Sequence, residues 1–187
     1  MVWKDGNLIE VLQNGGIVVM PTDTIYGIVG RAEDRNVVEK IYEIRKRTPE
    51  KPCIVLIGNT EELDKFSIKL SDEQKAKLQK FWYEENRPIS VVLDCLEEKF
   101  AYLHRGTNSL AFRLPASQEL RDLLLKTGPL IAPSANLEKF PASENIEDAR
   151  KYFGDQVDLY VDGGLITSKA SRVIKLHKDG TESILRE

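Results

Sequence analysis

The chain alternates short apolar runs with stretches of helical periodicity. Seven runs predict strands, and several are continuous in Val, Ile and Leu, as expected for strands buried on both faces. They span residues 16–20, 53–57, 89–93, 109–114, 130–132, 157–161 and 172–176. In the run at 109–114 the residues alternate, which puts Leu110, Phe112 and Leu114 on one face of the strand and Arg113 on the other.

Helices are predicted between these runs. Asn36 and Glu39 have the spacing of a capping box at the start of the first helix. Further helices are predicted over residues 71–83, from Ser117 to a stop at Gly128, and over residues 146–153. This order of elements predicts a single α/β domain, residues 1–187, with a mixed sheet.

Composition narrows the class of protein. Hydrophobic residues make up 41% of the chain, which is enough for a core and excludes wholesale disorder. No apolar run reaches the roughly 18 residues of a membrane span, and residues 1–16 do not resemble a signal peptide. Cys53 and Cys95 lie in apolar runs, which favours buried thiols over a disulfide framework or a metal site. We therefore expect a cytoplasmic protein with no membrane partner.

Charge is unevenly distributed. The net charge of -3 and the isoelectric point near 5.6 argue against generic binding of polyanions. Residues 40–51, however, carry five cations against two carboxylates, a net charge of +3. We call residues 45–52 the basic segment. Its cations fit two compatible interpretations: they complement the dipole at a helix C-terminus, or they form a clamp for a triphosphate.

Polar turns follow several predicted strands, at the edge where ligands bind in open α/β sheets. The turn PTDTIYG at 21–27 carries hydroxyls, a carboxylate and a phenol, and a site and a plain turn are equally good interpretations. PSAN at 133–136 and DGG at 162–164 are two further turns. Arg113 needs a carboxylate partner if its face of the sheet is covered, so a structural ion pair rivals a binding role.

Several common catalytic patterns are missing from the sequence. It contains no phosphate-binding loop of the G-x-x-x-x-G-K-[ST] type, no G-x-G-x-x-G and no G-x-S-x-G. His104 and His177 stand alone, without the spacing of metal ligands. A hydrolase that uses a covalent nucleophile is therefore poorly supported.

Taken in order, the motifs resemble the YrdC family. The resemblance rests on PTDTIYGI at 21–28, R-x-R-x-x-x-K-P at 45–52, SLAFRLP at 109–115, PSAN, DGG and SRVI at 171–174. It covers nearly the whole chain and implies a twisted mixed sheet flanked by helices, with an open, positively lined concave cavity. It also implies the activity of a threonylcarbamoyl-AMP synthase. Such an enzyme makes threonylcarbamoyl-AMP and pyrophosphate from L-threonine, bicarbonate and ATP, for threonylcarbamoyl-adenosine in tRNA.

The resemblance assigns roles to individual residues of this chain. The residues implied to hold threonine are Thr22, Thr24, Tyr26, Arg113 and Ser171. Those implied to hold ATP are Arg45, Arg47, Lys51, Ser109, Ser134, Asn136 and Arg186. Three of these, Arg45, Arg47 and Lys51, are also the implied catalytic groups. Mg2+ would arrive with ATP, and no protein-bound metal is expected.

The chain departs from the family pattern at four places. Arg45 stands where the family usually has Lys, and Leu137-Glu138-Lys139 follows the PSAN turn where a Ser-Gly pair is common. Arg87 replaces a glycine in the family's G-P-[VI]-T, and Arg172 replaces the threonine of the late S-T-[VI]. Glu138 adds a negative charge beside the implied nucleotide site.

Other functions remain open from the sequence. The main alternative is a YrdC-like module that binds nucleotide or double-stranded RNA without catalysis, although the acidic chain disfavours strong binding to an RNA backbone. A related carbamoyl transfer, as in hydrogenase maturation proteins, would come with zinc-finger regions that two cysteines do not provide. The expected partners of a synthase are tRNA and downstream proteins that transfer the threonylcarbamoyl group.

Overall fold

The described part of the chain is built on one nine-stranded mixed sheet. The structure, a computed structural model, describes residues 2–85 and 87–187. The strands are β1 (Val18–Pro21), β2 (Tyr26–Arg31), β3 (Ile54–Leu56), β4 (Ile89–Asp94), β5 (Ser109–Arg113), β6 (Leu130–Ile131), β7 (Leu159–Tyr160), β8 (Arg172–Leu176) and β9 (Glu182–Arg186). They lie in the order β7-β1-β2-β6-β3-β5-β4-β8-β9, and β1/β7, β3/β5 and β4/β8 are the parallel pairs. The predicted α/β class with a mixed sheet is confirmed.

Helices connect most of the strands. The α-helices are α1 (Gly6–Gln13), α2 (Arg35–Ile44), α3 (Asp72–Gln79), α4 (Ala101–His104), α5 (Gln118–Thr127) and α6 (Ile146–Phe153). A π-helical turn at Lys80–Glu84 continues α3, and short 3-10 turns lie at Val2–Lys4, Thr60–Phe66, Glu98–Phe100 and Gly154–Gln156. The Ser117 side chain caps α5 by accepting from the amide of Leu120, and Gly128 ends the helix at φ 83°, as the sequence predicts.

The helices α1 and α4 and the strands β2 and β9 were not predicted, and α4 lies in a stretch that looks irregular in the sequence. Helix α1 buries Leu8 and Leu12, and its other apolar residues, Ile9 and Val11, pack against the same cluster. Strand β2 is buried along most of its length, but its two glycines make it look like part of a turn. Strand β9 lies exposed at the edge of the sheet and has no buried face to give it a pattern.

Some predicted element ends differ from the structure. The strand predicted at 157–161 spans only Leu159–Tyr160, although the amides of Asp158 and Val161 also donate to the carbonyls of Ile17 and Val19. The predicted capping box at the start of α2 is also wrong: Asp34 is the cap, and its carboxylate accepts from the amides of Asn36 and Val37. Asp34 directly precedes the helix, so its short side chain can accept from these free amides. Glu39 lies inside the helix and would have to reach back to them.

The two faces of the sheet are covered unequally. Helices α2, α3, α4 and α6 pack on one face and share its core with residues from strands across the sheet. On the other face, α1 and α5 form a second cluster with residues of β1, β2, β3, β6 and β7. Among the residues that the structure describes, β4, β5, β8 and β9 add nothing to this second cluster. Half of one face of the sheet is therefore left without a helix.

The packing of α2 on β2 depends on a glycine. A Cβ at Gly30 would lie 2.3 Å from Cγ1 of Val37 and 3.1 Å from Cδ1 of Ile41. We expect Gly30→Ala to lower the free energy of unfolding by about 1–3 kcal/mol, because overpacking forces the helix away from the sheet. Urea denaturation measures this difference. Gly6→Ala is the control, since nothing lies within 4 Å of a Cβ there; equal stability of both variants and the parent would contradict the proposed packing constraint.

Candidate functional site

A cavity of about 390 Å³ lies on the half of the sheet that carries no helix. This volume is within the range of small-molecule sites, roughly 300–1,000 Å³. Its polar and charged wall residues are Thr22, Thr24, Arg47, Thr107, Ser109, Arg113, Ser134, Ser171 and Arg186. Eight of these nine are residues that the sequence analysis singled out, so most of the predicted site comes together around one cavity. Tyr26, Arg45, Lys51 and Asn136 lie outside its walls.

The turn between β1 and β2 presents two threonine hydroxyls to the cavity. The hydroxyl of Thr22 donates to the carbonyl of Ile25 at 2.7 Å and accepts from the amide of Thr24 at 3.2 Å. The two threonine Oγ atoms are 3.1 Å apart. Ser168 donates from its hydroxyl to the carbonyl of Thr24. These bonds fix the turn, so its hydroxyls are oriented before any ligand arrives.

Arg113 forms a buried ion pair with Asp23. Its Nη2 lies 2.9 Å from the Asp23 Oδ1, and the two side chains are 4% and 3% exposed. The amide of Ala116 donates to the second oxygen of Asp23 at 3.3 Å. Burial lowers the pKa of Arg113, and the charge of Asp23 opposes that shift. The need for a carboxylate partner was predictable from the sequence, but Asp23 was not identified as that partner, although it lies inside the first polar turn.

Tyr26 holds a loop instead of facing the cavity. Its phenol donates to the carbonyl of Gly164 at 2.9 Å and accepts from the amide of Gly163 at 2.7 Å. Burial raises the pKa of Tyr26, and the nearby carboxylate of Asp162 raises it further. The phenol therefore stays protonated at neutral pH and anchors the DGG turn beside the cavity.

The cations of the basic segment lie in different environments. Helix α2 ends in a Schellman motif, in which the amide of Arg47 donates to Tyr42 and that of Lys46 donates to Glu43, both at 2.9 Å. Lys46 takes the left-handed conformation that this motif requires, with φ 49°. Because the chain reverses at this point, Arg45 turns into the protein while Arg47 reaches the cavity wall.

Arg45 is buried, and its hydrogen bonds hold the PSAN turn in place. Its Nε donates to the carbonyl of Asn136 at 3.0 Å, and its Nη2 reaches the side-chain oxygens of Asn136 and Ser134 at 3.0 and 3.2 Å. Burial, helped by the charge of Arg47, lowers the pKa of Arg45 to about 10. Arg45 remains charged at neutral pH, and its contacts keep Ser134 in place on the cavity wall.

Lys51 points to solvent and is paired with Glu138. Its Nζ lies 2.6 Å from Oε1 of Glu138. The other oxygen of that carboxylate accepts from the hydroxyl of Thr48 at 2.8 Å and from the Thr48 amide. The hydrogen bond from Lys51, followed by those from Thr48, lowers the pKa of Glu138 to about 2. The unusual charge of Glu138 is visible in the sequence, but its partners lie 90 and 87 positions away along the chain and were not predicted.

Ser171 and Arg186 form the wall opposite the basic segment. The Ser171 hydroxyl is 2.8 Å from that of Ser90, and both residues are buried. Arg186 donates twice to the Ser171 carbonyl, at 3.0 and 2.7 Å. Burial lowers the pKa of Arg186, and the nearby charge of Arg113 lowers it further. Within residues 2–85 and 87–187, neither Arg47 nor Arg186 has a carboxylate partner, so the cavity favours anions.

The structure shows neither a metal centre nor a membrane segment in the part of the chain that it describes. No group of three or more His, Cys, Asp or Glu side chains there could hold a metal ion. None of the helices over the same residues is long and apolar enough to cross a membrane.

Comparison with known proteins identifies relatives along the whole chain. The model of the Sua5/YciO/YrdC family, described as "Telomere recombination", matches residues 10–187. A putative threonylcarbamoyl-AMP synthase of Mycobacterium leprae is 30% identical over 95% of this chain and 80% of its own. The threonylcarbamoyl-AMP synthase of Hahella chejuensis is 26% identical over 99% of this chain and 98% of its own.

Similarity to a longer relative extends to the fold. The threonylcarbamoyl-AMP synthase of Pyrococcus abyssi is 28% identical over 87% of this chain, which spans about half of that relative, 47% of its length. The structure of Pyrococcus abyssi Sua5 complexed with L-threonine has a TM-score of 0.84 and 26% identity, and covers 100% of this chain and 54% of its own.

The ion pair between Asp23 and Arg113 gives a test of the site's architecture. We expect Asp23→Asn to lower the free energy of unfolding by about 3–5 kcal/mol, because the buried charge of Arg113 loses its partner. Chemical denaturation at pH 7 measures the loss. Glu182→Gln is the control: its exposed pair with Lys77 should contribute about 0–1 kcal/mol. A similar, small loss in both variants would contradict the proposed role of Asp23.

Proposed function

Because the chain belongs to the Sua5/YciO/YrdC family, we propose that it is a threonylcarbamoyl-AMP synthase. The observation that carries the proposal is the composition of the cavity walls, where two oriented threonine hydroxyls face a set of three arginines. Relatives of comparable length bear this name. The substrates would be L-threonine, bicarbonate and ATP, with Mg2+ bound to the ATP phosphates.

Threonine would bind at the end of the cavity formed by the β1–β2 turn. The hydroxyls of Thr22 and Thr24 are suited to hydrogen bonds with a small polar substrate. Arg113 would attract the carboxylate of threonine, although it shares its charge with Asp23. Ser171 would complete this end, while Tyr26 would act through the loop that it anchors.

ATP would bind toward Arg47, Ser134 and Arg186. Arg47 donates to the carbonyls of Lys51 and Pro52 at 3.0 and 2.9 Å, which holds its guanidinium at the cavity wall. Arg186 supplies a second charge from the opposite wall. Guanidinium groups bind phosphate oxygens with two parallel hydrogen bonds, and so orient a triphosphate as well as attract it. Ser109 and Ser134 would add neutral contacts. Arg45, which also bonds Asn136, would hold Ser134 in position.

The reaction needs alignment more than a protein nucleophile. The amine of threonine adds to CO2 from bicarbonate and loses a proton, which gives a carbamate. A carbamate oxygen then attacks the α-phosphorus of ATP, and the bond to the β-phosphate oxygen breaks to release pyrophosphate. Cations that hold the phosphates in line stabilise the charge that develops on the leaving group. The absence of a nucleophile motif in the sequence agrees with this chemistry.

The product is a mixed anhydride that water hydrolyses readily, so it would be passed on promptly. We infer that proteins that transfer the threonylcarbamoyl group to tRNA consume it, and that the protein works in the cytoplasm. Direct contact with tRNA or double-stranded RNA is not required for the step proposed here.

Pyrophosphate release tests the proposed function. We expect release from ATP that requires both threonine and bicarbonate, because the carbamate must form before it attacks the phosphorus. The assay is run with each substrate omitted in turn, and threonylcarbamoyl-AMP is identified by mass spectrometry. If folded protein binds ATP but releases no pyrophosphate with all substrates present, it is a binding module and the proposal is wrong.

Arg47→Ala tests the phosphate end of the cavity. We expect the Kd for ATP to rise by about tenfold or more, since a charge-assisted contact contributes about 1.5–3 kcal/mol. Isothermal titration with a non-hydrolysable ATP analogue measures this Kd. Lys40→Ala removes the same charge from an exposed position on α2 and should leave the affinity within about twofold. Equal effects would mean that Arg47 acts only through overall charge.

A further inference from the structure

Glu138 connects two walls of the cavity. Its amide donates to the carbonyl of Arg45 at 3.0 Å, and its carboxylate reaches Thr48 and Lys51 in the basic segment. The residues on either side of this bridge, Arg47 and Ser134, both line the cavity. The carboxylate therefore lies where the basic segment meets the PSAN turn.

The partners of this carboxylate form a set of donors suited to an anion. A backbone amide and a hydroxyl of Thr48 donate to one oxygen, and the ammonium of Lys51 donates to the other. Amide, hydroxyl and ammonium groups together are the donors that proteins offer to phosphate oxygens. The carboxylate of Glu138 therefore already fills an anion-binding site, and both of its oxygens accept hydrogen bonds.

The bridge is accessible to an external anion. The Lys51 side chain is 57% exposed and that of Glu138 is 14% exposed, so water reaches the pair. Because the Lys51 ammonium is largely exposed, water and salt screen its attraction to Glu138. An incoming anion with more negative charge than one carboxylate can compete for the same three donors.

We propose that the amide and hydroxyl of Thr48 and the ammonium of Lys51 form a polyphosphate subsite, and that Glu138 occupies it as an internal competitor. In the absence of ligand, Glu138 neutralises the subsite and holds the basic segment against the PSAN turn. When a polyphosphate binds, its terminal group displaces the carboxylate and takes the three donors. The proposed function is needed here only to name the ligand as the polyphosphate of ATP or its pyrophosphate product.

Binding of pyrophosphate to the whole chain tests this proposal without catalysis. We expect Glu138→Gln, which keeps the size of the side chain but removes its charge, to tighten the Kd for pyrophosphate by about three- to tenfold. Glu144→Gln removes the same charge from an exposed position nearby in the chain and should change the Kd by less than about twofold. Adding Lys51→Ala to Glu138→Gln should abolish most of the gain, because the freed donor is then missing.

A spectroscopic measurement on the unaltered protein gives a second test. The Thr48 amide donates to Glu138 without ligand, so its proton and nitrogen resonances should move when pyrophosphate replaces the carboxylate. They should move at the same concentration at which binding heat is released. This readout does not depend on the stability of any variant.

The outcomes separate this inference from the proposed function. Tighter pyrophosphate binding in Glu138→Gln supports the subsite even if no synthase activity is found. Unchanged or weaker binding, or a Thr48 resonance that does not respond to pyrophosphate, overturns it. In that case Glu138 is a structural link between two loops, and a synthase activity of the parent protein would still stand.

Discussion

The incomplete cover over one face of the sheet is the constraint on which the rest of the site depends. Helices α1 and α5 pack on the strands from β7 to β3 and leave β5, β4, β8 and β9 without a helix on that face. Strand β5 lies next to β3 at this boundary, and its residues alternate: Leu110 and Phe112 point into the core, while Ala111 and Arg113 face the cavity. A sheet face with no helix must be lined by residues that tolerate water or bind a ligand, and this one carries cations.

A buried guanidinium group on that face needs a carboxylate partner. Arg113 is nearly fully buried, and an unpaired charge there would be costly, so the turn between β1 and β2 must bring Asp23 within reach. The same turn carries Thr22 and Thr24 to the cavity. The ion pair thus fixes the position of the hydroxyls as well as the charge of Arg113, and the architecture of the site depends on a contact between residues 90 positions apart.

The structural features that depend on residues close together in the chain could be predicted from the sequence. The caps of α5 and the alternation of β5 were predictable because the signals lie within a few residues of each other. Strand β2 was missed because its glycines are typical of turns, and only its position between β1 and β6 makes it a strand. The partners of Arg45 and Arg113 lie 91 and 90 residues away, and spacing along the chain carries no information on such contacts.

In the basic segment, a single backbone feature places similar side chains in different surroundings. Arg45, Arg47 and Lys51 look equivalent in the sequence, but the Schellman motif at the end of α2 reverses the chain between the first two. One arginine then braces Ser134 from inside, the other lines the cavity, and the lysine stays in solvent with Glu138. These three cations therefore have different surroundings, although they lie within seven residues of each other in the sequence. Arg47 and Arg186 therefore concentrate positive charge at the cavity in a protein whose net charge is -3, because the local potential of a site depends on the few charges around it and not on the net charge of the chain.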